Sequence, residues 1–292
     1  MKKAFLVAAA LSAAIGPAFA DQIEGKPSSA DILEATTSED WRPLDPENTL
    51  YIELSTGRVV IALSPSLAPN HVAQVKRLAR EGFYDGLSFY RVIDGFVAQG
   101  GDALGKRGEQ TPLAAEFEDS VGKDFNFYKM KDEDGYAREV GFLGSLPVGH
   151  DPKTKTAWHL HCAGAFAFGR EDARDTASTE FYVTLQPQRY LDRNMSVFGR
   201  VVAGMEHLQA LRRVSPPQED GDDLGETIIA MKVAADVPEA ERTKLEILRS
   251  DRPAFDAYVE ARRNRSEAFF YFRPDYIDVC QLPVPVRAQE GE

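Results

Sequence analysis

Three things are scarce in this sequence, and each shortage removes a class of function. The first is positive charge. Against 46 acidic side chains there are 34 basic ones, a formal charge of −12 over 292 residues. Binding to nucleic acid or to an anionic membrane through bulk charge is therefore not expected, and the acidity reads as solubility. The second is length of apolar run. Ala4–Ile15 is mostly apolar and uncharged, but it falls short of the roughly 20 residues a spanning helix needs, and no other segment approaches that length. No stable membrane insertion is expected. Lys2 and Lys3 precede this run and Ala18-Phe19-Ala20 follows it, which makes residues 1–20 a secretory signal peptide with cleavage after Ala20. Loss of Lys2 and Lys3 takes the formal charge from −12 to −14. No cysteine stands at the cleavage site, so a lipid anchor is not indicated. The third shortage is cysteine itself, with only Cys162 and Cys280. Export would place them in an oxidising compartment. There they either pair or stay as two buried thiols, and sequence spacing does not supply the Cα distance that decides.

Signatures of bound metal and phosphate are also thin. His159 and His161 are two apart, so on a strand both would share a face, while Cys162 would point to the other. A zinc site needs three or four ligands within reach, and nothing marks a further partner for these two or for His150. They read as packed histidines beside Trp158. Gly105-Lys106-Arg107-Gly108 lacks the phosphate-loop spacing. The acidic run Glu219, Asp220, Asp222 and Asp223 lacks the spacing of an EF-hand. No metal and no cofactor is called for.

What is present is a chain with 43% apolar residues, enough for one sizeable core with additions. Residues 21–48 are polar and proline-punctuated, an arm or linker with Trp41 as its anchor. Leu50–Leu54 and Val59–Leu63 read as a hairpin around Ser55-Thr56-Gly57. Leu50, Ile52 and Leu54 alternate with Tyr51 and Glu53, so one face is expected to be buried and the other wetter. Ala68–Glu81 has apolar residues at helical spacing, with Pro69 in its first turn. Strands are expected at Ser88–Ile93, Phe96–Gln99, Gly164–Phe168, Phe181–Leu185, Ser196–Val202 and Thr227–Val233, and a second helix at Met205–Val214. Residues 120–160 have no strong period and are long for a loop, so they read as an insertion with its own packing. Beyond Ala234, Glu239–Arg249 and Ala254–Arg265 are helical in composition, an extension (234–292) expected to pack on the domain at 49–233.

The richest stretch is Phe83–Asp102, FYDGLSFYRVIDGFVAQGGD. Asp94-Gly95 suits a tight hairpin turn, and the two short strands beside it can bring Arg91, Phe96 and Gln99 to one side. A guanidinium beside an apolar wall and an amide suits a small apolar group with a carbonyl next to it.

This stretch resembles the cyclophilin family of peptidyl-prolyl cis–trans isomerases, whose pattern is close to F-Y-D-G-x-x-F-H-R-V-I-x-G-F-M-x-Q-G-G-D. Two later blocks, Gly164–Thr184 (GAFAFGREDARDTASTEFYVT) and Tyr190–Val201 (YLDRNMSVFGRV), are similar to the family's G-x-x-x-M-A-R…S-A-T-S-Q-F-F-I and W-L-D-x-x-x-x-V-F-G-x-V segments and come in family order. The resemblance covers about Thr49–Val233. It implies a mainly β fold, an eight-stranded antiparallel barrel capped by two helices, here carrying the insertion and the helical C-terminal extension. It implies a folding catalyst for X–Pro bonds, with Arg91, Phe96 and Gln99 catalytic. It assigns Val97, Tyr182 and Leu191 to the proline pocket, and Gly169 and Arg170 to the groove beside the residue before proline, the latter through its backbone. The chain departs from the family at Tyr90, Val97, Glu180, Tyr190 and Met195; Glu180, Tyr190 and Met195 still fall at substrate-binding positions, and Glu180 is placed to pair with Arg91. The implied partners are proline-containing segments of unfolded or partly folded exported proteins, the implied compartment is the periplasm, and the implied state is a monomer. The alternative is a non-catalytic proline-peptide-binding or chaperone module on the same scaffold.

Overall fold

A computed structural model describes residues 26–289 other than Glu109, Ser145 and Asp220. The signal-peptide reading lies outside these residues. Alternating apolar side chains produce the main sheet. Thr49–Leu54 pairs with Gly57–Leu63 as a tight antiparallel hairpin. Leu50, Ile52, Val59 and Ile61 enter one shared core. The face expected to be wetter is covered instead: Tyr51 is buried against Ala234 and Val237, with the Arg58 guanidinium 4.2 Å from its ring centre. The segment after the barrel folds back and removes this face from solvent.

From one edge, the large sheet runs Glu226–Thr227, Ser88–Val92, Val97–Gly101, Phe181–Thr184, Ala165–Phe168, Val197–Ala203, Gly57–Leu63, Thr49–Leu54 and Ala230–Val233, every neighbour antiparallel. The first and last strands belong to one stretch of chain. Glu226–Thr227 pairs with Ser88 and Phe89, and Ala230–Val233 crosses to pair with Leu50–Glu53. That single stretch closes the ring, so the sheet is an eight-stranded barrel whose last strand changes partner midway, and closure removes the free edges. Phe166, Phe168, Phe181 and Phe198 fill its interior at ring separations of 4.7–5.5 Å. The helix Pro69–Arg80 buries Val72, Val75 and Leu78 in the same core. The second helix is shorter than its spacing suggests, spanning Met205–Gln209. It stops because Val214 is drawn into a bridge with Val92.

The remaining chain builds a second apolar core. The insertion is a five-stranded antiparallel sheet in the order Asp119–Ser120, Thr156–His159, Leu146–Asp151, Glu139–Leu143, Tyr128–Lys129. Leu245–Leu248, read as helical from composition, is a strand. Trp41–Pro43 and Val286–Ala288 pair with it on either side, and two flanking strands outweigh a modest helix propensity. The expected helix at Ala254–Arg265 is present as Pro253–Arg263. Trp41, Phe142, Trp158, Ile247, Phe255 and Val279 meet in this second core. Cys162 and Cys280 are joined by a disulfide with Cα atoms 4.8 Å apart, tying the extension to the chain just before a barrel strand.

The three weighed histidines face different partners. His150 Nδ1 lies 2.8 Å from Glu139. His159 is buried, and neither ring nitrogen has a hydrogen-bond partner among the described residues. Burial brings its pKa down to about 4, offset only slightly by the nearby Pro147 carbonyl, so the ring is neutral at pH 7. His161 bonds to Asp192 and Tyr182.

Candidate active site

The hairpin at Asp94-Gly95 sets the site. Phe96 N–H donates to the Ile93 carbonyl at 3.1 Å and Gly95 adopts φ +64°, which glycine tolerates without steric cost. This register places Arg91 opposite Gln99. The Arg91 guanidinium donates to Gln99 Oε1 at 3.0 Å and sits 5.3 Å from the centre of the Phe96 ring. Gln99 Nε2 donates to the Tyr90 hydroxyl at 2.6 Å. The amide is thus held from both ends, and the cation it holds faces an open groove of about 320 Å³.

Ten of the residues assigned from sequence line this groove: Arg91, Phe96, Val97, Gln99, Gly169, Arg170, Glu180, Tyr182, Leu191 and Met195. Tyr190 does not; its side chain is 57% exposed beside Leu191. Tyr90, Glu171, Thr176 and Ser178 also line the groove; the last three lie inside the second family-like block but were given no role of their own from sequence. Val97 and Tyr182 are buried together with Ala165, Ala167 and Val197, and Phe96 and Met195 pack against them. This gives an apolar pocket next to a cation. The Arg170 side chain turns away, donating to the carbonyls of Asn194, Glu171 and Asp172. Only its backbone is free to face a ligand.

Glu180 does not pair with Arg91. Tyr182 lies opposite Gln99 and Phe181 opposite Gly100, which carries Glu180 on towards Gly101, away from the guanidinium. Its Oε1 accepts from Asp102 N–H at 2.7 Å, while Oε2 is buried with no partner among the described residues. Gly101 has φ +142°, and a Cβ there would lie 2.5 Å from both carboxylate oxygens. The glycine makes room for the acid. Burial raises the Glu180 pKa above the usual carboxylate range. Burial, and next the Glu180 charge, hold the Tyr90 hydroxyl far above its ordinary range, so it stays protonated.

A carboxyl whose pKa rises on folding favours the fold most at low pH, and that contribution is lost as pH increases through the folded-state pKa. Glu180→Gln keeps the shape without the charge. By removing a buried charge it is expected to raise stability at pH 7 by about 1 kcal/mol, the usual scale of a single substitution, and to leave stability at pH 4 nearly unchanged. Urea unfolding at the two pH values checks this; an identical pH dependence in variant and wild type rules it out.

Comparison with known proteins agrees with this geometry. The family model for cyclophilin-type peptidyl-prolyl cis–trans isomerases matches residues 49–233. A probable peptidyl-prolyl cis–trans isomerase from Brucella suis is 32% identical over 192 residues, covering 66% of this chain and 85% of its own. Peptidyl-prolyl cis–trans isomerase B from Bacillus subtilis is 33% identical over 159 residues, covering 54% of this chain and 86% of its own. A crystal structure of a cyclophilin from Hirschia baltica superposes with a TM-score of 0.71 at 26% identity, covering 91% of this chain and all of that one. This last likeness extends beyond residues 49–233 into the additions.

Proposed function

This chain belongs to the cyclophilin family of peptidyl-prolyl cis–trans isomerases, and on that premise we propose how its groove turns an X–Pro bond and where it does so. The reaction needs no nucleophile and no cofactor. The barrier is amide resonance, roughly 18–20 kcal/mol, and rotation breaks that resonance and returns a lone pair to the proline nitrogen. The Val97–Tyr182 pocket, with Phe96 beside it, takes the proline ring. Gln99 and the backbone of Arg170 hold the flanking peptide, and the Arg91 guanidinium donates to the nitrogen as the amide twists. A donor fixed in advance stabilises the twisted amide more than the planar one, which is the condition for catalysis.

The observation that carries this reading is the placement of Arg91. Gln99 Oε1 and the Phe96 ring hold it over the pocket, and no carboxylate among the described residues forms an ion pair with it. The test measures both the isomerisation rate of an Ala-Pro peptide and its binding in one preparation. Rate acceleration together with saturable binding is expected. Binding without acceleration would select the non-catalytic peptide-binding module instead.

The clients on this reading are proline-containing segments of exported proteins. Lys2-Lys3, the apolar Ala4–Ile15 and Ala18-Phe19-Ala20 support export, and the Cys162–Cys280 disulfide fits an oxidising compartment such as the periplasm. The proposal requires an N-terminus at Asp21 on the protein recovered from that compartment; an intact Met1 there would overturn it.

A further inference from the structure

Behind the proline pocket lies a buried polar chain that a pocket of purely apolar side chains would not need. The Tyr182 ring forms part of the pocket wall, but its hydroxyl points inward and lies 2.9 Å from His161 Nε2. The two ring planes are within 12° of parallel, with centroids 6.2 Å apart. His161 is fully buried. Its Nδ1 is 3.0 Å and its backbone N–H 2.8 Å from Asp192 Oδ1. A carboxylate only accepts, so Nδ1 carries a proton towards Asp192, and Nε2 is left to the tyrosine hydroxyl. Burial, and next the Asp192 charge, keep the Tyr182 hydroxyl protonated for that role. Asp192 is held in turn by Arg189 at 2.6 Å, and Arg189 forms a two-pronged pair with Asp134 of the insertion at 2.7 and 2.9 Å.

We propose that His161 is a positioning residue for the isomerase: its hydrogen bond to Tyr182 fixes that ring as a rigid pocket wall, and Asp192 and Arg189 fix His161. The proposal rests on the reading of Val97 and Tyr182 as the proline pocket. A phenol buried beside a groove has two ways to satisfy its hydroxyl. It can bond to a group behind the wall, or it can rotate towards the water in the groove and fill the space a proline ring would take. His161 decides between them. The effect belongs on substrate binding, since neither His161 nor the Tyr182 hydroxyl reaches the twisting amide.

The test uses the full chain with its disulfide intact and Ala-Pro peptide kinetics. His161→Leu is expected to raise KM about tenfold with kcat within about twofold. Adding Tyr182→Phe to it removes the stranded hydroxyl and is expected to return KM to within about threefold of wild type, a non-additive recovery. His161→Gln, whose side-chain amide can still bond the hydroxyl, is expected to retain most of the wild-type KM, and it serves as the readout if the leucine variant fails to fold. Unchanged KM in His161→Leu overturns the proposal. So does a double variant no better than His161→Leu, or a His161→Gln variant that folds and binds as weakly as His161→Leu. Val97→Phe, which fills the pocket directly, separates the two levels. If it leaves KM unchanged, the pocket reading itself fails, whatever the His161 variants do.

Discussion

Arg91→Ala is expected to lower kcat/KM for an Ala-Pro peptide by about 10²–10³-fold, the loss that follows removal of one preorganised donor at a reacting centre. The loss should fall on kcat. The proline ring is held by Val97 and Tyr182 with Phe96 beside them, and the guanidinium faces only the Phe96 ring of these three, so KM should stay within about threefold. Arg91→Lys should recover little. A lysine ammonium is a flexible point charge without the planar fork, and it would lose the paired geometry with Gln99 and the ring face of Phe96. Folding should be nearly unaffected, because among the described residues Arg91 makes one side-chain hydrogen bond, at a partly exposed site; a change within about 0.5 kcal/mol is expected. A protease-coupled isomerisation assay on wild type and both variants decides the point. An Arg91→Ala enzyme as fast as wild type would remove this residue from the mechanism, and a loss confined to KM would make it a binding group only.

The catalytic hairpin was legible because it is local. Ser88–Val92 and Val97–Gly101 are joined by one turn, and period-two alternation fixes which side chains share a face. The placement of Arg91 against Gln99 follows from about ten residues of sequence. Glu180 was harder. Its place just before the strand that starts at Phe181 was correct, but its direction depends on that strand's pairing with one about eighty residues earlier and on the space left by Gly101. Pairing alone puts it beyond the reach of Arg91. His161 was invisible as a functional residue for the same reason. Its two partners, Tyr182 and Asp192, are 21 and 31 positions away, and nothing in the spacing of three histidines announces them. Leu245–Leu248 shows the opposite failure. Local composition favoured helix, and the deciding contacts come from Trp41–Pro43, some two hundred residues upstream, and from Val286–Ala288. Strands with their own alternation, such as Val197–Ala203 and Ala230–Val233, could be read even though their partners are distant; Leu245–Leu248, whose composition pointed the other way, could not.

The second core is such a distant assembly, and the disulfide is its tightest link. Removing it as Cys162→Ser with Cys280→Ser is expected to lower stability by about 2–4 kcal/mol, the usual range for a native bridge. The bridge closes a separation of 118 residues, and chain entropy alone gives roughly 4.7 kcal/mol for a loop of about 100. Residual order in the unfolded chain reduces this. For a protein of this size each kcal/mol is worth about 2–4 °C in Tm, so a fall of about 5–15 °C is expected. The loss should not be uniform. The barrel has its own core of buried phenylalanines, whereas the extension is tied to the chain before a barrel strand by the bridge, packs on the barrel at Tyr51 through Ala234 and Val237, and meets the insertion through the Arg263–Asp132 pair at 2.5 Å and the apolar contacts around Phe255. Protease should therefore cut first within residues 234–292 of the reduced or double-serine protein, at temperatures where isomerase activity persists. Because Cys162 directly follows His161, a modest rise in KM should accompany the loss, smaller than that of His161→Leu, since Asp192 and Tyr182 still hold the ring. Thermal unfolding and limited proteolysis with and without reductant measure both effects. An unchanged Tm would show that the second core docks without its covalent tie. Simultaneous loss of the extension and of activity would show instead that barrel and extension unfold as one cooperative unit.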